Sequence, residues 1–374
     1  MTRRNEPRPA RPTVAPTAPR APRPRVAPFA LPEGFAAALI EPLLADPASA
    51  RLAVSLLGAP LVDACARACP VVALDLEALR PVAQLVAIRA KPLRARLMAL
   101  CTSLARVGAP PVAIKGLATS LTLYDRPYLR LLPDADLLFR DEDLPAASWA
   151  LGAWRFESRP EACGTRRWGA LTEASFAPVA PPDGAFLVDV HCLVDDPPAS
   201  EGLTTEAVFA RSERIETDAG VVFVPAPEHA LCILALHAFR DRYEPRGLKS
   251  LVDAALLVAI EGERIDWDEV ERRARAGRFV SRLVFYRELL AALGVALPHR
   301  PFAARRPSAA ARRLLPGVVA NFRNPHHLAQ PDWRKLALEV ALLDSPVESL
   351  RLNARRLGGL FSPRDHLLPG IPSA

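Results

Sequence analysis

Cysteine is scarce in this sequence, and its spacing excludes two common uses. The 374 residues contain six cysteines, none of them in a C-x-x-C pair. Cys65 and Cys69 would share one face of a helix, but no neighbouring cysteine or histidine completes a zinc-binding set. The mostly apolar contexts predict small buried side chains in a reducing compartment rather than a disulfide framework.

Long apolar runs are also missing. The longest, AALLVAI at residues 254–260, is far shorter than the roughly 20 residues that a membrane-spanning helix needs. The charged N-terminus is not followed by the apolar segment of a secretory signal. We therefore expect a soluble, cytoplasmic protein without a membrane span.

Outside the N-terminus the sequence has almost no net positive charge. The first 28 residues carry seven arginines and one glutamate, so they supply most of the net charge of +7. The rest of the chain is close to neutral, which argues against a folded domain with an extended phosphate-binding surface. We therefore do not expect nucleic acid as a partner, except weakly through the basic tail.

Residues 1–32 form this Arg/Pro-rich tail, which we predict to be disordered. Eight prolines among the first 28 residues remove backbone donors and favour extended conformations. The tail could serve only to keep the protein soluble. Alternatively, it could attach weakly to nucleic acid, anionic lipid or an acidic partner, and the composition leaves both readings open.

Helical spacing of apolar residues fills the segments on either side of a central unit. Residues 33–108 predict an N-terminal helical segment, which Pro60, Pro70, Pro81 and Pro92 should divide into short helices. Residues 227–374 return to helical periodicity and predict a C-terminal helical domain. No internal repeat is visible.

The central unit, residues 109–226, combines strand-like and helical segments. PVAI, DADLLF, FLVDVHCLV and GVVFVPA predict strands, and LATSLTLY and DEDLPAASWALGAW predict helices. The stretch between the last two strands looks rich in loops. Interleaved strands and helices of this kind predict a compact mixed α/β unit.

Two aspartates stand at the start of the strand DADLLF. Residues two apart in a strand project to one face, so Asp134 and Asp136 would lie side by side with Ala135 on the opposite face. Their charges repel, and either a countercharge or a bound proton must relieve the repulsion. The pair could be a charged turn entering a buried strand, or two oxygen ligands of the kind that suits Mg²⁺.

A third aspartate lies inside the apolar strand FLVDVHCLV. Burying Asp189 without a partner would be costly, and His191 shares its face by the same alternation. A third carboxylate on a neighbouring strand would complete a two-metal site for phosphoryl transfer. The alternative is a salt bridge from Asp189 to one of the many arginines.

The segment AIKGLATS, residues 113–120, contains the candidate phosphate-binding residues. Gly116 would let backbone approach a ligand just before a helix, and Lys115 would add a point charge. Ser120 closes the segment. Arg130, four residues before Asp134, could neutralise phosphate charge or pair with the aspartates. A plain turn is the alternative interpretation of the Lys-Gly pair.

In these residues the chain resembles the uncharacterised nucleotidyltransferases of the DNA-polymerase-beta-like superfamily. Their pattern is similar to IKGLATSLTLY, then RLLPDADLLF, then VDVHCLV, in this order. Further along, His237 and Asp253 stand at matching positions in similar helical segments. The ending RRLGGLFSPRDHLLPG is similar as well, and the resemblance spans roughly residues 30–370.

The resemblance implies an α+β fold, with a small mixed nucleotidyltransferase-type sheet flanked by helices. It implies that Asp134, Asp136 and Asp189 bind two Mg²⁺ ions and that an NTP, with ATP expected, is the substrate. The NMP would move to a hydroxyl of a small-molecule, peptide or protein acceptor. The alternative is an inactive regulatory protein of the same fold that binds nucleotide. Two departures are the K-G turn in place of G-G or G-S, and Cys192 in place of an aromatic residue.

Overall fold

The computed structural model describes residues 28–69, 72–158, 173–179, 186–218, 220–299, 301–325, 332–344 and 347. It shows an α+β fold in which one seven-stranded sheet has helices on both sides. The tail expected over residues 1–32 lies almost wholly outside the described residues, as do Pro70, Cys163 and the ending after residue 350.

The sheet is mixed, with the strand order β3-β4-β5-β2-β1-β7-β6. Its strands are β1 (Val112–Ala113), β2 (Asp134–Leu138), β3 (Phe156–Ser158), β4 (Glu173–Pro178), β5 (Leu187–His191), β6 (Glu213–Thr217) and β7 (Gly220–Val224). The central pair β2–β5 is parallel, as is β1–β7, and the other pairs are antiparallel. This order places the two aspartate-bearing strands next to each other at the centre.

All four predicted strands are present, as β1, β2, β5 and β7. The expectation of a loop-rich region between the last two predicted strands is wrong. That region contains α8 (Ala199–Gly202), α9 (Thr205–Ala210) and β6. Residues of β6 alternate between half-buried and exposed positions, so it lacks the apolar run that identifies a buried strand. Its pairing with β7 stabilises it instead.

The N-terminal segment is helical as predicted. Its elements are α1 (Glu33–Phe35), a π-helical turn (Ala36–Ile40), α2 (Glu41–Ala45), α3 (Pro47–Leu57), α4 (Ala59–Ala66) and α5 (Leu76–Arg106).

The expectation that proline divides this segment is wrong at two positions, because α5 contains both Pro81 and Pro92. An interior proline costs a helix about 3 kcal/mol. Burial of Leu79 and Ala83 near one proline, and of Leu97 and Met98 beyond the other, offsets that cost.

The remaining helices are α6 (Lys115–Thr122), α7 (Leu144–Ala153), α10 (Pro227–Arg240), α11 (Leu248–Glu261), α12 (Trp267–Ala276), α13 (Val280–Ala292), α14 (Ala309–Arg323) and α15 (Asp332–Ala341). The last six form the helical region predicted after residue 227.

Two hydrophobic cores lie on the two faces of the sheet. The first core joins N-terminal helices with C-terminal ones, so Phe35 and Leu39 belong to one cluster with Phe285 and Leu289. The second core packs α5 and α7 against the other face, through residues such as Leu151. The predicted domain boundaries at 108 and 226 stay predictions, but the outer segments share one interior.

Within the described residues, the state of the cysteines and the character of the helices agree with what the composition predicted. The five cysteines there are unpaired, and all except the half-buried Cys69 are buried. None of the helices in this part of the chain combines the length and the apolar character needed to cross a bilayer.

Candidate active site

Strands β2 and β5 bring the three predicted aspartates to one face of the sheet. Asp136 pairs in register with Asp189, and Asp134 lies two residues before Asp136 on the same strand. Residues paired across parallel strands point to the same side, so all three carboxylates share a face. Ala135 and Leu137 point the other way, into the second core. The aspartates therefore face helices α10 and α11.

Lys115 supplies the countercharge for this cluster. Its Nζ donates to Oδ1 of Asp136 at 2.5 Å, and both side chains are more than nine-tenths buried. The His191 Nε2 lies 2.8 Å from the same oxygen and 3.4 Å from the lysine Nζ. Lys115 opens α6 with a φ of 50°, a left-handed conformation uncommon outside glycine. The backbone is thus held in a rare state where the ammonium meets the carboxylate.

The two aspartates of β2 have opposite protonation tendencies. Burial alone would raise the pKa of Asp136, but the Lys115 ammonium and the hydrogen bond from His191 outweigh it and hold the pKa far below its ordinary value. Burial, followed by the charge of Asp136, raises the pKa of Asp134 despite nearby Lys115 and Lys249. The repulsion expected from the sequence is therefore borne mainly by Asp134.

Asp189 accepts a hydrogen bond from the Ser175 hydroxyl at 2.6 Å. Ser175 lies on β4, directly opposite Asp189 in the antiparallel pair β4–β5. Sequence reasoning missed this residue, because EASFAP is short and carries no motif. The His191 ring, which shares this face, contacts Asp136 on the neighbouring strand.

Arg130 pairs with Asp253, not with the site aspartates. Its Nε lies 3.0 and 2.9 Å from the two carboxylate oxygens of Asp253, and Tyr124 donates to the same carboxylate at 2.8 Å. The guanidinium also packs on Gly116, where an added Cβ would lie 3.1 Å from an arginine nitrogen. Arg130 thus supports the Lys-Gly turn, and a contact with phosphate stays a prediction.

Ser120 is buried, and its hydroxyl donates to the Leu117 carbonyl at 2.8 Å. Its role in cofactor binding also stays a prediction. Two titratable side chains approach the site from α10 and α11. Lys249 on α11 is half-buried, and burial together with Arg130 lowers its pKa while Asp134 opposes that shift. Burial and then Lys115 lower the pKa of His237 on α10 well below its ordinary value.

The donor chemistry of the site suits a hard divalent cation. Three carboxylates share one face, and the Lys115 ammonium already lies where a cation would meet Asp136. Across the described residues, however, no three Asp, Glu, His or Cys side chains converge closely enough to hold a metal ion. Metal binding at Asp136 would therefore require Lys115 to move aside.

A match to a family model identifies the class of protein to which the chain belongs. The family described as uncharacterised nucleotidyltransferase matches residues 52–294, which is well over half of the chain. The chain belongs to this family, as the motifs predicted. No curated protein matches it.

Proposed function

We propose that the protein is a Mg²⁺-dependent enzyme that moves an NMP from an NTP, with ATP as the expected nucleotide, to a hydroxyl acceptor. The observation that carries the proposal is the in-register pairing of Asp136 with Asp189, next to Asp134 on the same face. Membership of the nucleotidyltransferase family supports NMP transfer in general. That Mg²⁺ is the metal and ATP the nucleotide belongs to the proposal and goes beyond the family membership.

In this proposal Asp134, Asp136 and Asp189 hold the metal. Bound Mg²⁺ would neutralise charge on the triphosphate and make the acceptor hydroxyl more acidic. Asp189, held by Ser175, takes the hydroxyl proton. The hydroxyl oxygen then forms a bond to the α-phosphorus, and the bond to the bridging oxygen breaks and releases pyrophosphate.

Lys115 is the residue that links nucleotide and carboxylates. Its ammonium is the cation on Asp136 in the structure, and it begins the helix expected to face the phosphates. We propose that it leaves Asp136 when metal and nucleotide bind and then contacts a phosphate oxygen. One side chain would thereby neutralise the site in both states.

The test incubates the pure protein with Mg²⁺ and each α-labelled NTP, with cell extract as the source of acceptors. Wild type should transfer label to an acceptor. Asp136→Asn and Asp189→Asn should each reduce the transfer rate by about 100-fold or more, because the carboxylates position the reacting groups. Glu157→Gln is the matched control, since Glu157 is an exposed carboxylate on the edge strand β3.

A second function deserves the same test. The short Lys115–Asp136 contact favours an inactive protein that binds nucleotide and regulates a partner, because the lysine occupies the cation position. Tight Mg·NTP binding without transfer to any acceptor would support this regulatory function. Equal transfer by wild type and Asp136→Asn would contradict the enzymatic proposal.

A further inference from the structure

A large cavity opens beside the acidic site, on the side of helix α5. Its volume is about 760 Å³, within the range of pockets that enclose small molecules. Asp134 forms part of its wall, whereas Asp136 and Asp189 do not. The cavity therefore reaches the first carboxylate of the site but lies outside the carboxylate cluster itself.

The wall of this cavity is mostly apolar. Helix α5 contributes Leu93, Leu97 and Met98, and the opposite wall includes Leu132 and Phe186. Leu97, Met98 and Phe186 are buried within the protein, so the apolar lining continues from the surface to the interior. Ser120 and Arg130, both predicted to bind nucleotide, also lie in the wall. The larger apolar part of the wall favours a ligand with an apolar body, which would leave water on entering it.

Five basic side chains line the cavity, and they differ in exposure and pairing. Arg89, Lys91 and Arg126 are exposed, and Arg130 is paired with Asp253, which leaves Arg94 as the half-buried cation of the wall. Arg94 of α5 is half-buried, and burial lowers its pKa while Asp218 opposes that shift. Within the described part of the chain, no carboxylate lies within ion-pair distance of Arg94. A half-buried guanidinium in this position would be stabilised by an anionic group of a ligand.

We propose that this cavity binds the acceptor, and that the acceptor is an amphipathic small molecule. Its apolar body lies between α5 and Phe186, its anionic group meets Arg94, and its hydroxyl reaches Asp134. The inference rests on the proposed function for the transfer step, but the binding site can be tested without it.

The probe is anilinonaphthalene sulfonate, which joins an apolar ring system to one anionic group and fluoresces when bound. Wild type should bind it. Leu93→Trp should fill the cavity and weaken binding by about tenfold or more. Leu85→Trp is the matched control, because Leu85 lies on α5, is 48% exposed and does not line the cavity.

A second pair of variants tests the contact between Arg94 and the anionic group of the ligand. Arg94→Gln should weaken binding of the sulfonate several-fold but leave binding of uncharged phenylnaphthylamine unchanged. Arg96→Gln, two residues away and not part of the lining, should affect neither probe.

Three results would overturn the cavity assignment: no probe binding by wild type, equal binding by Leu93→Trp, or competition between ATP and the probe. The last would make the cavity the nucleotide site. If label transfer occurs, Leu93→Trp should abolish it while nucleotide affinity is retained. Probe binding without any transfer would count against the proposed function and leave the cavity assignment standing.

Discussion

At the scale of single residues, Lys115 controls the charge balance of the site. It is buried with Asp136, so its removal leaves a buried carboxylate whose remaining side-chain partner among the described residues is His191. We expect Lys115→Met to lower the free energy of unfolding by about 3 kcal/mol at neutral pH. Urea denaturation measures this change. Lys91→Met, at an exposed lysine of α5, should change it by less than about 0.5 kcal/mol.

The same variant should alter the dependence of stability on pH. The pKa of Asp136 is lower in the folded protein than in the unfolded chain, so its stabilising effect is complete above the unfolded value of about 3.9 and is lost as the pH falls. Without Lys115 this pKa depression shrinks. Lys115→Met should therefore lose less stability than wild type between about pH 5 and pH 3. Parallel losses would show that the lysine does not set the pKa of Asp136.

Gly116 is the second residue on which the turn depends. An alanine there would place its Cβ 3.1 Å from Arg130 and 3.3 Å from Leu132, which is tight for a buried position. We expect Gly116→Ala to cost about 1–3 kcal/mol of stability and to weaken nucleotide binding. The matched change is Gly152→Ala in α7, where nothing lies within 4 Å of the added atom. That variant should be neutral or slightly more stable in thermal unfolding.

At the scale of elements, the Arg130–Asp253 pair joins α11 to the segment that leads into β2. Asp253 is fully buried and also accepts from Tyr124. Asp253→Asn should cost about 3–5 kcal/mol, because a buried guanidinium loses its countercharge. Arg130→Met with Asp253→Leu should recover part of that loss in urea denaturation.

Arg246→Met is the control for this pair, since Arg246 forms exposed ion pairs on the neighbouring 3₁₀ turn. Its effect should be small. If the double variant were as unstable as Asp253→Asn, the loss would come from packing rather than from the unpaired charge.

The elements that hold the aspartates could be predicted from the sequence, whereas their partners could not. DADLLF and FLVDVHCLV alternate or run apolar, which identifies β2 and β5. Ser175 becomes visible only through the register of β4 on β5, a contact between distant segments. The continuity of α5 through Pro81 and Pro92 was likewise decided by tertiary burial, which outweighs local propensity.

The candidate site shows the same limit. Sequence motifs identified the three carboxylates and Lys115, but not the pairing of Lys115 with Asp136 or of Arg130 with Asp253. A sequence with 48 basic residues offers many partners for any one carboxylate, and only the fold selects among them. Lys249 approaches the site from α11, where the resemblance identified Asp253 but not the lysine.

At the scale of the whole molecule, the helices at both ends close one interior. Gly34 and Gly294 approach so closely that a Cβ on Gly34 would lie 2.6 Å from the Gly294 carbonyl oxygen. Arg323 donates to the Ala38 carbonyl at 2.6 Å. Residues 109–226 expressed alone should therefore fail to unfold cooperatively. Circular dichroism during urea denaturation tests this, and a sharp transition of the isolated segment would show that it folds independently.

The central claim is that Asp134, Asp136 and Asp189 act as one cation-binding face. Electron paramagnetic resonance of Mn²⁺, titrated into the protein with ATP, measures it most directly. We predict that Asp136→Asn and Asp189→Asn each weaken Mn²⁺ binding by about tenfold or more, and that Glu157→Gln leaves it unchanged. Wild-type Mn²⁺ affinity in Asp189→Asn would contradict the claim.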